Sequence, residues 1–213
     1  MGYIRDKGHE VIPLIIGSDE ADREMAEQLG LYYTHYPNKP LGAKMNRASL
    51  AALKFDVDYL MCISSDDVVS NSVFDAVLPA MEKGVDLIGW LDFYIYDVAT
   101  ERAAKFTGYK GQRRGDTIGL GRCLSKRAIR LCNGRLWDDD RNKGLDGSMT
   151  RKLSKYKISQ QVLLMEEQGA FLTDIKRGDN LWGFDHYSDT REFIEKENLM
   201  WAYPKMFERI EKL

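Results

Sequence analysis

Apolar and polar residues alternate along the first hundred positions in blocks whose lengths predict strands and helices in turn. The apolar runs at 11–16, 31–36, 58–63 and 85–90 have the length of buried strands, and the last run continues into the alternating segment 92–97. Between them, the segments 19–29, 43–54 and 71–82 carry apolar residues at helical spacing. This order predicts an α/β fold, a Rossmann-like, mostly parallel sheet with helices on both faces.

The second half of the chain predicts further elements with wider gaps between them. Helices are expected at 125–131 and 147–155, and a strand at 170–176. The segment 190–213 is typical of an amphipathic helical region broken at Pro204, which packs on the sheet or forms a dimer contact. We therefore expect one domain at 1–187 and a C-terminal helical extension at 188–213.

Composition narrows the class of protein. The chain has 213 residues, of which 44% are hydrophobic and 30% charged, as in a globular protein with a full core. Its net charge of −2 disfavours strong nonspecific binding to nucleic acid. No apolar run has the length of a membrane span, and no hydrophobic signal region opens the chain, so we expect a cytoplasmic protein. Cys62, Cys123 and Cys132 lack a paired spacing, which predicts free thiols.

The tetrad Ser64-Ser65-Asp66-Asp67, directly after the strand predicted at 58–63, carries the first chemical indication. Adjacent carboxylates at the end of a buried strand are costly unless a cation compensates them, and a divalent metal is the natural candidate. Ligands of open α/β sheets gather beyond the carboxyl ends of strands, where these residues are expected. The alternative is that the two aspartates cap the helix that follows.

The region from the turn at 38–42 to the acidic tetrad resembles the GT-A glycosyltransferases, particularly family-2-like enzymes that use a nucleotide-sugar donor. The shared features are the turn, a helix with Lys44 and Asn46 near its start, the strand and the acidic loop. The resemblance implies Mn²⁺ or Mg²⁺ held directly by Asp66, with Asp67 either a second ligand or a residue that supports the ligands, and with the donor pyrophosphate supplying much of the coordination. It also places Lys44 and Asn46 near the nucleotide. Ser64 stands where many relatives have the first acid of the motif.

Downstream, the resemblance assigns further roles. Gly119 and Gly121 are expected in the donor pocket, although a plain turn is the alternative. Lys176 would balance pyrophosphate charge, and His186 would be a late metal ligand, unless it is only an exposed or hydrogen-bonded side chain. Asp146 matches the general base of inverting enzymes, which takes the proton of the attacking acceptor hydroxyl. Its alternative role is to cap the helix at 147–155.

One element of the family pattern is missing. GT-A enzymes begin with a strand and a helix before the strand found here at 11–16, whereas only Met1 to Lys7 precede that strand. We expect another chain, upstream sequence or the C-terminal segment to cover the open edge, since a bare edge invites association. A homo-oligomer formed through this edge or through the C-terminal helix is one such arrangement.

The sequence therefore predicts a metal-dependent glycosyltransferase of the inverting type, which moves a sugar from a nucleoside diphosphate sugar, such as a UDP-sugar, to a hydroxyl acceptor. The acceptor is a glycan, a small molecule or a modified nucleic acid. A sugar nucleotidyltransferase shares the sheet and the metal-binding aspartates, but those enzymes usually carry a glycine-rich, basic loop after their first strand. A noncatalytic binding module of the same fold is the third possibility, favoured by Ser64 and by the missing strand.

Overall fold

The computed structural model describes residues 2–178, 183–187 and 189–210. The helices are α1 Gly2–Asp6, α2 Glu20–Gln28, α3 Leu41–Ala52, α4 Asn71–Glu82, α5 Lys126–Leu131, α6 Leu145–Leu153, α7 Met165–Gln168, α8 Glu197–Ala202 and α9 Pro204–Ile210. The strands are β1 Leu14–Gly17, β2 Tyr32–His35, β3 Tyr59–Met61, β4 Asp67–Val69, β5 Leu87–Trp90, β6 Phe93–Asp97, β7 Arg102–Phe106, β8 Cys123–Ser125, β9 Gln160–Leu163, β10 Leu172–Lys176 and β11 Arg191–Ile194. Short 3₁₀ turns lie at Gly111–Arg113 and Phe184–Tyr187.

The α/β class is confirmed, and most predicted elements of the first hundred residues are present. The helix at 71–82 matches α4 in both bounds, and α2 and α3 lie within two residues of their predicted starts. Asp19 caps α2, since its side chain accepts a hydrogen bond from the backbone N–H of Asp22. The single strand predicted from 85 to 97 is two strands, β5 and β6, which belong to different sheets.

The chain divides into two compact units. Unit 1 consists of Met1–Leu60, Gly84–Leu87 and Cys123–Gln160, and unit 2 of Met61–Lys83, Ile88–Arg122 and Gln161–Leu213. In unit 1, β1 and β2 pair in parallel, with α2 contacting both strands and α3 contacting β1.

A four-stranded sheet has the order β3-β8-β5-β9.

Unit 2 contains a five-stranded sheet of order β11-β7-β6-β10-β4. The pair β6–β10 is parallel, and the other three neighbouring pairs are antiparallel, so this sheet is mixed where the sequence pattern predicts a largely parallel one. A tight connection turns β6 back along β7, which is why these strands are antiparallel. Strand β7 escapes prediction because its sequence, Arg-Ala-Ala-Lys-Phe, lacks the β-branched residues typical of strands.

The segment predicted as a helical region from residue 190 begins instead with the edge strand β11, which pairs with β7. The helices α8 and α9 follow, and α9 starts at Pro204, the position predicted to break the helix. Together with the sheet they bury a core cluster of Tyr96, Ala103, Ile175, Leu199, Tyr203 and Phe207. Within the described part of the chain, no helix has the length and apolarity needed to cross a membrane.

Candidate metal centre

The acidic tetrad forms a tight turn between β3 and β4. The backbone N–H of Asp67 donates to the carbonyl of Ser64 at 3.2 Å, and the Asp67 carboxylate accepts a bond from the Ser64 N–H at 2.7 Å. Asp67 is therefore the first residue of β4 rather than the cap of a helix. The N-cap position of α4 is occupied by Ser70, so the capping alternative for the aspartates is wrong.

Strand pairing brings a third carboxylate to this turn. In the antiparallel pair β4–β10, Asp67 lies directly opposite Asp174, and the Ile175 N–H donates to the Asp66 carbonyl at 2.8 Å. Directly opposed residues present their side chains on the same face of a sheet. Carboxylate oxygens of Asp66, Asp67 and Asp174 consequently lie within 4.8 Å of one another. We call these three residues the acidic cluster.

The acidic cluster is poorly hydrated for its charge. The pKa of Asp67 is raised to about 7, mainly by burial and also by the nearby charges of Asp174 and Asp66, although the hydrogen bonds with Ser64 lower it. Burial likewise raises the pKa of Asp174 to about 6, although the ammonium of Lys176 lowers it. In such surroundings, all three carboxyl groups can be ionised together only when a cation binds between them.

The donor set fits a hard divalent cation. Asp174 Oδ1 is buried, and no hydrogen-bond donor reaches it from the residues that the structure describes. An orphaned buried carboxylate oxygen beside two further carboxylates is the arrangement that Mg²⁺ or Mn²⁺ completes, with phosphate oxygens and water in the remaining positions. Asp66, Asp67 and Asp174 are therefore the residues that could hold such an ion.

Asp174 is the site residue that the sequence pattern missed. The segment 170–176 was predicted as a strand, and Asp174 is the one acid within it. A carboxylate inside a buried strand is rare enough to indicate a functional role. Its partner could not be identified from the sequence, because the pairing of β10 with β4 joins residues more than one hundred positions apart.

Lys176 supplies the positive charge next to the cluster. Its side chain is only 5% exposed, and its Nζ lies 2.5 Å from Asp174 Oδ2. The same ammonium lies 5.6 Å from the centroid of the Tyr187 ring, within cation–π range. His186 packs its ring edge to face with Tyr187 at 5.2 Å and is not part of the acidic cluster. Its role as a metal ligand stays a prediction.

Gly121 has a backbone reason to be glycine. Its φ is +69°, and a Cβ atom there would lie 2.5 Å from the Leu172 side chain. Its N–H donates to the Cys62 carbonyl at 2.9 Å, while the Gly119 carbonyl accepts a bond from the Arg122 N–H at 3.3 Å. Both glycines thus shape the chain in unit 2. Their contact with a donor stays a prediction.

Lys44 lies in unit 1, in a polar group at the end of β1. Its Nζ donates to Ser18 Oγ at 2.8 Å and to Asn38 Oδ1 at 3.1 Å. Ser18 directly follows β1, so this ammonium lies at the carboxyl end of a strand, where ligands of α/β sheets gather. The position suits the predicted role in nucleotide binding without testing it.

The buried side chain of Asn46 acts as a clamp, a term we use because it hydrogen-bonds α3 to the segment 137–139. Its Nδ2 donates to the Trp137 carbonyl and to Asp139 Oδ1, both at 2.8 Å, and its Oδ1 accepts from the Trp137 N–H at 2.9 Å. Gly42, one turn earlier on α3, lies so close to the Asp138 carbonyl that a Cβ atom would approach it to 2.0 Å. The start of α3 is therefore fixed against the segment 137–139, and the Asn46 amide is used by the protein itself.

Asp146 lies in the first turn of α6, whose N-cap position is held by Gly144 with φ of 68°. The capping role considered for Asp146 is therefore taken by another residue, while its carboxylate still suits the positive end of the helix. Trp137, which contacts Asn46, is 3% exposed and belongs to the core.

The nine predicted site residues divide between the two units. Unit 1 holds Lys44, Asn46 and Asp146, and unit 2 holds Asp66, Asp67, Gly119, Gly121, Lys176 and His186. Asp174 joins the second group.

Comparison with solved structures shows which proteins share this fold. The inositol-1-phosphate CTP transferase from T. maritima superposes with a TM-score of 0.53 and 11% sequence identity, over 87% of this chain and 78% of that chain. A197 from STIV and HddC from Yersinia pseudotuberculosis, the latter complexed with GMP-PN, each give a TM-score of 0.45. A197 is 10% identical, and the match covers 81% of this chain and 100% of A197. HddC is 16% identical, and the match covers 81% of this chain and 76% of HddC. No protein-family profile and no curated protein sequence matches. The chain thus shares an α/β fold with a nucleotide-dependent transferase.

Proposed function

We propose that this protein is a metal-dependent transferase whose substrate or product is a nucleoside diphosphate sugar. The observation that carries the proposal is the acidic cluster, in which Asp66, Asp67 and Asp174 converge within 4.8 Å at the turn after β3. A bound Mg²⁺ or Mn²⁺ would neutralise the charge that develops on the leaving phosphate. The chain's own carboxylates fix the ion's position, and the ammonium of Lys176 adds positive charge beside it.

Nucleotidyl transfer is the reaction that the comparison of folds favours. In that reaction a sugar phosphate oxygen attacks the α-phosphorus of a nucleoside triphosphate, pyrophosphate leaves, and a nucleoside diphosphate sugar forms. The fold shared with a CTP transferase supports this candidate. Both the entering and the leaving group are anionic, so a site with a cation and a lysine suits the reaction.

Glycosyl transfer is the second candidate, favoured by the GT-A-like order of turn, helix, strand and acidic turn between residues 38 and 67. Here an acceptor hydroxyl attacks the anomeric carbon of the donor sugar, and the nucleoside diphosphate leaves. We propose Asp146 as the base that takes the hydroxyl proton.

Two product assays separate these candidates. The protein is incubated with Mn²⁺ or Mg²⁺ and a panel of nucleoside triphosphates with sugar 1-phosphates, and release of pyrophosphate is measured. In parallel, nucleotide sugars are supplied with and without hydroxyl acceptors, and release of nucleoside diphosphate is measured. Activity in either assay that disappears with EDTA and in Asp174→Asn supports the proposal. Nucleotide-sugar binding without turnover would instead identify a binding module.

The partners follow from the reaction. A glycosyltransferase of this kind needs a hydroxyl acceptor, which we propose to be a glycan, a small molecule or a modified nucleic acid. None of the three cysteines forms a disulfide, which suits a reducing compartment. A cytoplasmic location and a homo-oligomer remain predictions.

A further inference from the structure

We infer that Lys176 is an internal counter-ion of the acidic cluster, which holds Asp174 when no metal is bound and gives up that position to a metal that arrives with a nucleotide. The inference deepens the proposed function and rests on it, because it concerns how the same centre is filled. It predicts that the free metal ion binds weakly and that the metal–nucleotide complex binds well.

The first step of the argument is the position of the ammonium. Lys176 Nζ lies 2.5 Å from Asp174 Oδ2, on a side chain that is 5% exposed. Asp174 and Lys176 are two residues apart on β10, so their side chains stand on the same face of the sheet, the face that also carries Asp67. The ammonium and a metal held by Asp174 would therefore share one small, partly buried region.

The second step is the charge balance. Two like charges a few ångströms apart in a partly buried site repel each other strongly, and a divalent ion doubles the repulsion that a monovalent ion would meet. A lysine that stays on Asp174 thus opposes the metal strongly, and it also occupies a ligand oxygen. Without Lys176, the three carboxylates would repel one another more strongly, because the ammonium beside Asp174 would be lost. The lysine accordingly stabilises the metal-free centre and weakens binding of the metal alone.

The third step is the alternative position for the ammonium. The Tyr187 ring centroid lies 5.6 Å from Nζ, so a lysine displaced from Asp174 has an aromatic face within reach. A phosphate group that enters with the metal offers a stronger partner, since lysine binds phosphate as a point charge. The phosphate of the nucleotide thus draws the Lys176 ammonium away from Asp174, and the metal can then bind the Asp174 carboxylate.

The experiment measures Mn²⁺ binding by electron paramagnetic resonance of the free ion, at pH 7.5 and low salt, with and without UDP. The test variant is Lys176→Met, which removes the charge and keeps an unbranched apolar chain. We expect it to bind Mn²⁺ alone about tenfold or more tightly than the wild type. In the presence of UDP we expect its advantage to vanish or reverse, because the phosphate has lost its lysine.

A matched control shows whether the tighter Mn²⁺ binding depends on Lys176 itself or follows the removal of any buried lysine. Lys105 also forms a largely buried ion pair, with Asp92 at 3.2 Å, but the strand register places it on the opposite face of the same sheet. Lys105→Met should bind Mn²⁺ like the wild type. Lys176→Gln, which can still donate a hydrogen bond to Asp174, provides a second neutral variant if Lys176→Met does not fold.

The outcomes separate the inference from the proposed function. If the wild type binds Mn²⁺ with UDP and neither neutral variant binds Mn²⁺ alone more tightly, the inference is wrong and the proposed function stands. If the wild type binds no Mn²⁺ under either condition but a neutral variant does, the lysine blocks the centre and the proposed use of a metal is wrong. If no form of the protein binds Mn²⁺, with or without UDP, both are wrong.

Discussion

Asp67 and Asp174 lie directly opposite each other in the antiparallel pair formed by β4 and β10. Burial raises the pKa of both carboxyls, and the negative charge of Asp174 raises that of Asp67 further towards neutrality. A cross-strand pair of like charges is destabilising unless it serves a ligand. The pairing thus joins the local acidic turn to a distant strand and creates the centre on which the proposed function depends.

Asp174→Asn tests whether the third carboxylate is a ligand. The change keeps the size of the side chain and removes one negative charge, so we expect Mn²⁺ affinity in the presence of a nucleotide to fall by about tenfold or more. Titration calorimetry with Mn²⁺ and UDP measures the effect. Asp185→Asn is the control, because Asp185 pairs with Arg191 outside the acidic cluster. Equal Mn²⁺ affinity for the wild type and Asp174→Asn would exclude Asp174 from the centre.

The raised pKa of Asp67 predicts a pH dependence of stability. Because its pKa in the folded state is about 7, above the ordinary value of an aspartate, the folded state binds more protons than the unfolded state between about pH 4 and pH 7. The contribution of Asp67 to the free energy of unfolding therefore falls as the pH rises through this window. Metal binding, which needs the ionised carboxylate, should strengthen over the same window.

Asp67→Asn checks this sign. In EDTA, we expect the variant to be more stable than the wild type at pH 8, and the difference to shrink towards pH 5, where the wild-type carboxyl is protonated. Each kcal/mol gained in the free energy of unfolding should raise Tm by roughly 2–4 °C. Urea unfolding at the two pH values gives the comparison. A variant less stable than the wild type at pH 8 would show that the charge of Asp67 is compensated within the protein.

Asp146→Asn tests the proposed base. Asparagine cannot take a proton, so glycosyl transfer should slow by about 100-fold or more, with the affinity for the nucleotide sugar unchanged. Initial rates and donor binding are measured on the same preparation. Because Gly144 holds the N-cap position, the variant should keep the stability of the wild type within about 0.5 kcal/mol. An unchanged rate places the base elsewhere.

Gly121→Ala tests the packing role of that glycine. The alanine must adopt a φ near +69° and its Cβ would approach Leu172 to 2.5 Å, so we expect a loss of about 2–4 kcal/mol in the free energy of unfolding. Gly84→Ala is a matched control, since Gly84 has φ of +71° and open space around it. That control should lose only about 1 kcal/mol. Similar losses in both variants would mean that the backbone conformation alone requires Gly121.

Asn46→Asp distinguishes a structural clamp from a nucleotide ligand. The aspartate cannot donate to the Trp137 carbonyl and places a negative charge beside Asp139, so we expect a loss of about 2–4 kcal/mol in the free energy of unfolding. Asn38→Asp is the control, because the Asn38 side chain acts as an acceptor for half-buried Lys44 and an aspartate keeps that function. If Asn46→Asp unfolds like the wild type and loses only nucleotide affinity, the clamp is not its main role.

The sequence by itself determined the features that depend on neighbours along the chain. The spacing of apolar residues predicted α2, α3 and α4 and the α/β class, and the two acids after an apolar run located Asp66 and Asp67. Helix periodicity and the acids at a strand end are local properties, which is why they could be recognised without the fold.

Only the tertiary structure decided which distant residues contact these local features. Asp174 joins the acidic cluster through the register of β10 against β4, and a shift of one residue would turn its carboxylate to the other face of the sheet. Asn46, which the sequence predicts near the nucleotide, donates hydrogen bonds to Trp137 and Asp139, 91 and 93 residues further along the chain. Strand register and long-range hydrogen bonds depend on how distant segments pack together, and no pattern of neighbouring residues specifies them.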